Sequence, residues 1–440
     1  MALSARSIGL RLGSLFGPAI FGVTAAGVAL PDVTRALGAT PSSAAWVLIA
    51  HALALGIGTA LSGRLADSRG VWVTLLAGAG VLIAGAAVCL SAQGIVALVI
   101  GRLVLATGSG AISASALVLA SSSLSEQRPK VLATFGATMA VFSAGATLAG
   151  GVVTQWLTWR LTVVLPVLSI LAVPFVLRLA KTRPGSGRPI DLAGAGLLSL
   201  SAASFVILIQ SSALDLQATA VVGLAAALVV SAAGLALRVA RVPEGFVQRW
   251  LVADTTFLRA MVTGVGVFAG LFGSMYAAPQ FLVREHGWSI LSAGTWLLPG
   301  AVLGGVVSRL ASRLAAAGGA LIAATALSSA VLFGLAGLTD SSVLVICGVS
   351  LGFAAFATTQ VVATGLLSAR IQPAQRGGGL ALLNLTFFVG GGAGSAVAGA
   401  LAKSFSLTTV IVSIAIFPLL GAFGALTLRR PAKQAEVATR

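Results

Sequence analysis

Apolar runs of about 20 residues recur along almost the whole chain, separated by short segments that hold the charges. A helix rises 1.5 Å per residue, so each run is long enough to cross a bilayer core of roughly 30 Å. Inside lipid, backbone groups must be paired within the chain, which leaves helices or a closed barrel as the spanning structures. A barrel needs alternating segments of about ten residues, and none is found. The 440 residues are 58% hydrophobic and only 8% charged. A water-soluble surface carries about 25% charged residues, so the runs define a polytopic helical membrane protein. The 54 glycines, poor helix formers in water, fit this setting because small residues let helices approach closely in lipid.

Net charge is +17, but the basic residues stand singly or in small groups between runs rather than in a domain of their own. That placement argues against nucleic acid. The two cysteines, Cys89 and Cys347, lie inside apolar runs, with neither disulfide nor metal spacing around them. The amino-terminal MALSARSIGLRLG enters an apolar run with no small-residue cleavage site, which predicts a retained first helix.

Charges and Gly/Pro breaks place fourteen spans: 13–31, 44–62, 72–92, 95–119, 131–154, 161–180, 191–212, 217–237, 258–282, 290–308, 316–338, 343–367, 377–401 and 406–428. With the amino terminus inside, 22 of the 27 Lys and Arg fall in inside segments, 4 outside, and Arg102 within a span. That asymmetry is the positive-inside signature. A twelve-span count lacking 191–212 and 217–237 would keep the same sidedness. GRLADSRG (63–70) has a partner in SRLASRLA (308–315), and SEQRPKVLA (125–133) in PAQRGGGLA (373–381). The offsets fit two six-helix bundles with two helices between them: 1–184, an insertion 185–254, and 255–440 ending in a cytoplasmic tail. Repeated halves around a midplane site are a common transporter plan.

These residues resemble the major facilitator superfamily. In GRLADSRG, the positions Gly63, Leu65, Asp67 and Gly70 match the family's loop between its second and third helices, although Val71 and Trp72 replace two basic residues. ALPDV (29–33), AWVLIAHALA (45–54), AGATLAGG (144–151), Trp159–Arg160, Asp191 with Gly194, GWSILSAGTWLLPG (287–300) and GGLALLNLTFFVGGGAG (378–394) are similar to the fourteen-helix drug:proton antiporter branch. Arg102 falls on that branch's fourth-helix arginine, followed by Leu105 and Ala106 where Gln-Gly is usual. Ala146 stands where the fifth-helix signature has proline. The branch's first-helix acid position is Gly22 here, so a coupling carboxylate is missing from its usual place.

The resemblance implies a proton-coupled exporter of small hydrophobic drugs or metabolites, powered by the proton gradient and needing no cofactor. A monomer in a bacterial cytoplasmic membrane is expected, multi-pass with both termini cytoplasmic; the arginine- and alanine-rich composition suits a high-GC bacterium. Arg102, about seven residues into its span, is a costly buried charge that either serves proton transfer or ties helices together. His51 lies at a similar depth; an imidazole titrates near neutrality and can relay protons, or it fills an aromatic slot. Asp32 ends the first span and either pairs with Arg102 or Arg35 or stands as a solvated end-of-helix carboxylate. The resemblance makes Gly63, Asp67 and Gly70 an inside gate loop; Asp67 otherwise caps the third span. Ser312 stands at the matching place in the second half. Gly145, Gly150 and Gly151 form a smooth strip on the fifth span, read as a sliding interface or as tight packing. Tyr276, Gln280, Gln360, Asn384, Phe387 and Phe388 are the expected cavity residues. A mostly apolar cavity with few acids suits hydrophobic, neutral or anionic compounds better than multiply charged cations.

The competing transport readings are a dedicated exporter of one natural product and an uptake carrier. A membrane-embedded enzyme needs clustered His, Asp or Glu, and only two histidines occur. A sensor normally carries a sizeable soluble domain, and the longest inside loop has about 20 residues. No phosphate-binding loop is present for ATP-driven transport.

Overall fold

The computed structural model describes residues 4–124, 126–212, 214–313 and 317–428. The cytoplasmic tail expected after 428 and the end of the SRLASRLA repeat lie outside the described residues. The described residues are helical almost throughout, with one isolated bridge between Gly70 and Pro184.

The first half comprises α1 (Ala5–Phe16), α2 (Pro18–Leu37), α3 (Pro41–Arg69), α4 (Val71–Ser91), α5 (Ile95–Ser121), α6 (Arg128–Trp156), α7 (Trp159–Val163) and α8 (Val173–Lys181). Two helices follow, α9 (Leu192–Ile209) and α10 (Ala218–Arg241). The second half comprises α11 (Arg249–Ala253), α12 (Thr255–Gln280), α13 (Ile290–Leu297), α14 (Pro299–Arg313), α15 (Gly318–Thr339), α16 (Ser342–Arg370), α17 (Arg376–Leu401), α18 (Leu407–Ile414) and α19 (Ile416–Leu426).

Among the described residues, twelve helices are long and apolar enough to cross a membrane, against fourteen expected spans. Both inserted helices, the spans whose removal leaves the charge pattern intact, are among the twelve. The two expected spans not found as single long helices, 161–180 and 290–308, are broken at prolines. Pro166 opens a 3₁₀ stretch, Leu165–Ala172, between α7 and α8; Pro299 separates α13 from α14. Proline lacks an N–H and clashes with the preceding turn, so the helix restarts there. The first break still runs the length of α4: Arg160 donates to the Ala92 carbonyl (2.8 Å) at one end, and the Lys181 ammonium stands 5.9 Å from the Trp72 ring centroid at the other. The first crossing is longer than predicted, Ala5–Leu37 rather than 13–31, with a bend where Gly17 and Pro18 join α1 to α2.

Small residues set the packing distances. Gly85 lies on the backbone of Leu105 and Gly108 on that of Leu82, bringing α4 and α5 together. The halves meet along two seams. In one, α3 lies on α17, with Gly56 against Leu385 and Gly63 against Ala381; in the other, α6 lies on α14 and α16, with Gly136 against Val361 and Gly304 against Ala140. The α9–α10 pair is joined by a Ser201–Ser231 hydrogen bond (2.9 Å) and leaves α10 exposed along nearly all its length. That suits a face turned to lipid.

A cavity between the halves and the latch that closes one end

A cavity of about 370 Å³ opens between α2 and α3 of the first half and α12 and α17 of the second. Of the six expected cavity residues, Tyr276, Gln280 and Phe388 line it. Gln280 donates to the Tyr276 carbonyl (2.9 Å) from one helical turn on. Sequence reasoning missed Gln210, Phe272, Ser395 and two cations at the mouth, Arg284 and Lys403. By sequence, Arg284 and Lys403 are two of the four outside charges, and which way a side chain turns at the end of a crossing has no signature in the chain.

Gln360, Asn384 and Phe387 lie deeper and are fully buried. An aromatic layer that includes Phe387 lies between the two amides and the cavity. Phe16 of α1 stacks on Phe388 of α17 (centroids 6.4 Å) and meets Phe135 of α6 edge-on (5.6 Å). Phe268 of α12 packs on Phe387 (4.8 Å) and on Phe356 of α16 (4.7 Å). The layer thus crosses from one half to the other. Toward the latch from it, Gln360 Nε2 donates to Asn384 Oδ1 (3.3 Å) and Asn384 donates on to the Leu380 carbonyl, while Gln360 Oε1 has no partner among the described residues.

At the far end Asp67 joins the two halves. Its carboxylate accepts from the N–H groups of Gly377 (2.9 Å) and Gly378 (2.6 Å), at the first turn of α17. A carboxylate stabilises a helix amino terminus because that end carries unpaired N–H groups and partial positive charge. The principle foreseen for Asp67 therefore operates, but on a helix of the opposite half rather than on α4. Gly63 makes the approach possible: a Cβ there would collide with Ala381 and the Gly377 carbonyl. Gly70 has φ +94°, outside the range of most side chains, and turns the chain from α3 into α4 against Pro184. Ser312, at the equivalent place of the second half, donates to the Arg309 carbonyl of its own helix (2.8 Å).

The insertion's flanking loops hold this turn from outside. Ser186 donates to the Asp67 carbonyl (2.9 Å) and Ser68 to that of Arg188 (2.6 Å). Arg64 reaches the carbonyls of Gly245 and Phe246 and lies over the Phe246 ring. Asp191 caps α9, accepts from the Phe246 N–H (3.0 Å) and pairs with Arg238 (2.8 Å). Burial pushes the Asp191 carboxyl up, but the Arg238, Gly194 and Phe246 hydrogen bonds outweigh it and hold it below its ordinary value.

Arg102 and His51 come together; Asp32 does not join them. Arg102 is fully buried and donates to three backbone carbonyls, those of Gly22, Val47 and Val163, tying α5 to α2, α3 and α7. His51 is equally buried, neither ring nitrogen has a partner in hydrogen-bonding geometry among the described residues, and its ring occupies the space beside Gly22. Asp32 pairs with Arg35 (3.0 Å) in an exposed position. The expected Gly145–Gly151 strip is not one surface. Gly150 packs on the Ala25 backbone of α2, within one half, Gly145 faces open space and Gly151 is half-buried.

The family model described as Major Facilitator Superfamily matches residues 12–327 and 261–440. The chain belongs to the Major Facilitator Superfamily. It is 25% identical over 283 residues to the multidrug transporter protein MdtP of Bacillus subtilis, covering 63% of this chain and 52% of that protein. It is 26% identical over 338 residues to the multidrug resistance protein Stp of Mycobacterium tuberculosis, covering 74% of this chain and 62% of that one. The matches thus span between half and two thirds of these relatives' length. The crystal structure of the human organic anion transporter MFSD10 superposes with TM-score 0.68 at 14% identity, covering 97% of this chain and all of that one. At that identity the likeness carries the superfamily fold and nothing about cargo.

Proposed function

We propose that the protein exports small hydrophobic molecules by alternating access, driven by inward proton flow across a bacterial cytoplasmic membrane. One observation carries this reading: the same pair of helices, α3 and α17, is latched through Asp67 at one end and bounds an open cavity at the other. A path sealed at one end by a few polar contacts is suited to rocking of the halves. The latch end carries Arg64, Arg128, Arg183, Arg188, Arg370 and Arg376, so the positive-inside tendency makes it cytoplasmic and the cavity outward-facing. Both termini are then cytoplasmic, and the chain works as a monomer. The proline-broken segments Trp159–Lys181 and Ile290–Arg313 count as crossings, giving fourteen. The first matches the length of α4, and the second runs along α6, with Gly294 against Leu148 and Gly305 against Ala137.

Proton coupling rests on His51 beside Arg102, since Asp32 is taken by Arg35 at the surface. The multidrug names of MdtP and Stp support an exporter of drug-like molecules. The test is uptake into everted vesicles under an imposed pH gradient, over a panel of hydrophobic compounds. Gradient-dependent accumulation of at least one supports the reading; uptake indifferent to the gradient for every compound removes the proton coupling.

A further inference from the structure

The charged lining of the cavity has one sign. Arg284 and Lys403 stand at its mouth, and none of the described residues lining it is Asp or Glu. The nearby acids are engaged elsewhere. Glu285 accepts from the Leu407 N–H (3.1 Å) and the Thr408 hydroxyl (3.2 Å), and Asp32 holds Arg35. Asp215 lies 3.9 Å from the Lys403 ammonium, which also donates to the Ser212 carbonyl, so Lys403 is partly offset. Arg284 has no carboxylate within ion-pair distance among the described residues. Behind the wall, Arg102 is held by the carbonyls of Gly22 and Val47, next in sequence to the lining residues Val23 and Leu48. Below the mouth the wall is apolar, formed by Ala19, Ile20, Val23, Leu55 and Phe388.

A cleft lined by one sign of charge concentrates ions of the other. A guanidinium without a carboxylate partner is matched in shape and donor spacing to an incoming carboxylate or sulfonate. We propose that the cavity takes amphiphilic anions, with the acidic group on Arg284 at the mouth, Lys403 assisting, and the apolar body running down to Phe388. A volume of about 370 Å³ suits a molecule of drug size. The inference rests on the reading of this cavity as the transport site and adds the charge class of the cargo.

The test uses the purified full chain in proteoliposomes with a pH gradient and three fluorescent or electrode-detected probes. They are anionic 8-anilinonaphthalene-1-sulfonate, neutral N-phenyl-1-naphthylamine and cationic tetraphenylphosphonium. The anion is expected to move about tenfold faster than the cation, a ratio worth one charge-assisted contact. R284Q lowers the ratio of anion to neutral transport by a similar factor, and R284K, which keeps the charge but not the fork, retains part of it, which separates loss of charge from loss of fold. Transport of the cation at or above the anion's rate overturns the assignment, as does an anion rate indifferent to both R284Q and K403Q. Movement of the neutral or cationic probe without the anion removes the charge class and leaves the transport reading intact. Movement of none of the three counts against the transport reading itself, and the charge class falls with it.

Discussion

The imidazole of His51 occupies the space that any side chain on Gly22 would need. The two positions are therefore mutually exclusive in size. Gly22→Ala in the presence of His51 forces a shift in a closely packed pair of helices, at a cost of about 1–3 kcal/mol. His51→Ala combined with Gly22→Ala is expected to recover folded yield toward the parent level, as judged by monodisperse protein on size-exclusion chromatography. A double variant no better folded than Gly22→Ala alone would show that the two residues do not compete for this volume.

The latch makes a second prediction. Asp67→Asn keeps the shape but loses the charge and one of two strong acceptors for Gly377 and Gly378. Hydrogen bonds to a charged group contribute about 1.5–3 kcal/mol, so the equilibrium should move roughly tenfold or more toward an opened latch. Ala381→Cys, facing Gly63 across the seam, reports this. Its labelling by a small thiol reagent is expected to rise in the Asp67→Asn background, and an unchanged rate would show that Asp67 does not hold the end shut.

Arg102 binds three carbonyls from three elements through a planar, spread donor fork that the compact lysine ammonium lacks. Arg102→Lys should lower gradient-driven transport at least about tenfold while leaving some folded protein. Arg102→Met, which strands the carbonyls as well as removing the charge, should also lower folded yield. Equal transport by the lysine variant and the parent would reduce the residue to a generic buried charge.

At the clasp of the insertion, pH has a defined sign. The folded pKa of Asp191 is held down, so its contribution to stability is present above the unfolded value of about 4 and is lost as pH falls through the folded value. Asp191→Asn should therefore melt below the parent at pH 7, with the gap closing as the medium is acidified below pH 4. A gap independent of pH would mean that the hydrogen-bond cap alone, not the charge, carries the effect.

The chain announces its spans because lipid demands long apolar runs, and that signal does not depend on tertiary detail. The breaks at Pro166 and Pro299 are likewise written in the residues, yet a run of apolar residues masks them when length is the criterion. Asp67 was legible as a helix-terminus carboxylate, but its partner lies 310 residues away, and nothing local says which amino terminus it reaches. Asn384 and Gln360 read as cavity residues because they are polar within apolar helices. Whether such an amide faces a cavity or another amide depends on helix rotation, and here the aromatic layer puts them on the sealed side. Gly22 reads as a missing acid; that His51 fills its space emerges only from the crossing of α2 and α3.

The central claim is that the two halves rock about the cavity, one end opening as the other closes. Spin-label distances test it most directly, in a Cys347→Ser background. One pair is Arg69→Cys with Gln372→Cys at the latch end, the other Ala36→Cys with Ser404→Cys at the mouth. Introducing Asp67→Asn should lengthen the first distance and shorten the second in the same molecules. Two distances that stay fixed, or that lengthen together, would contradict the account.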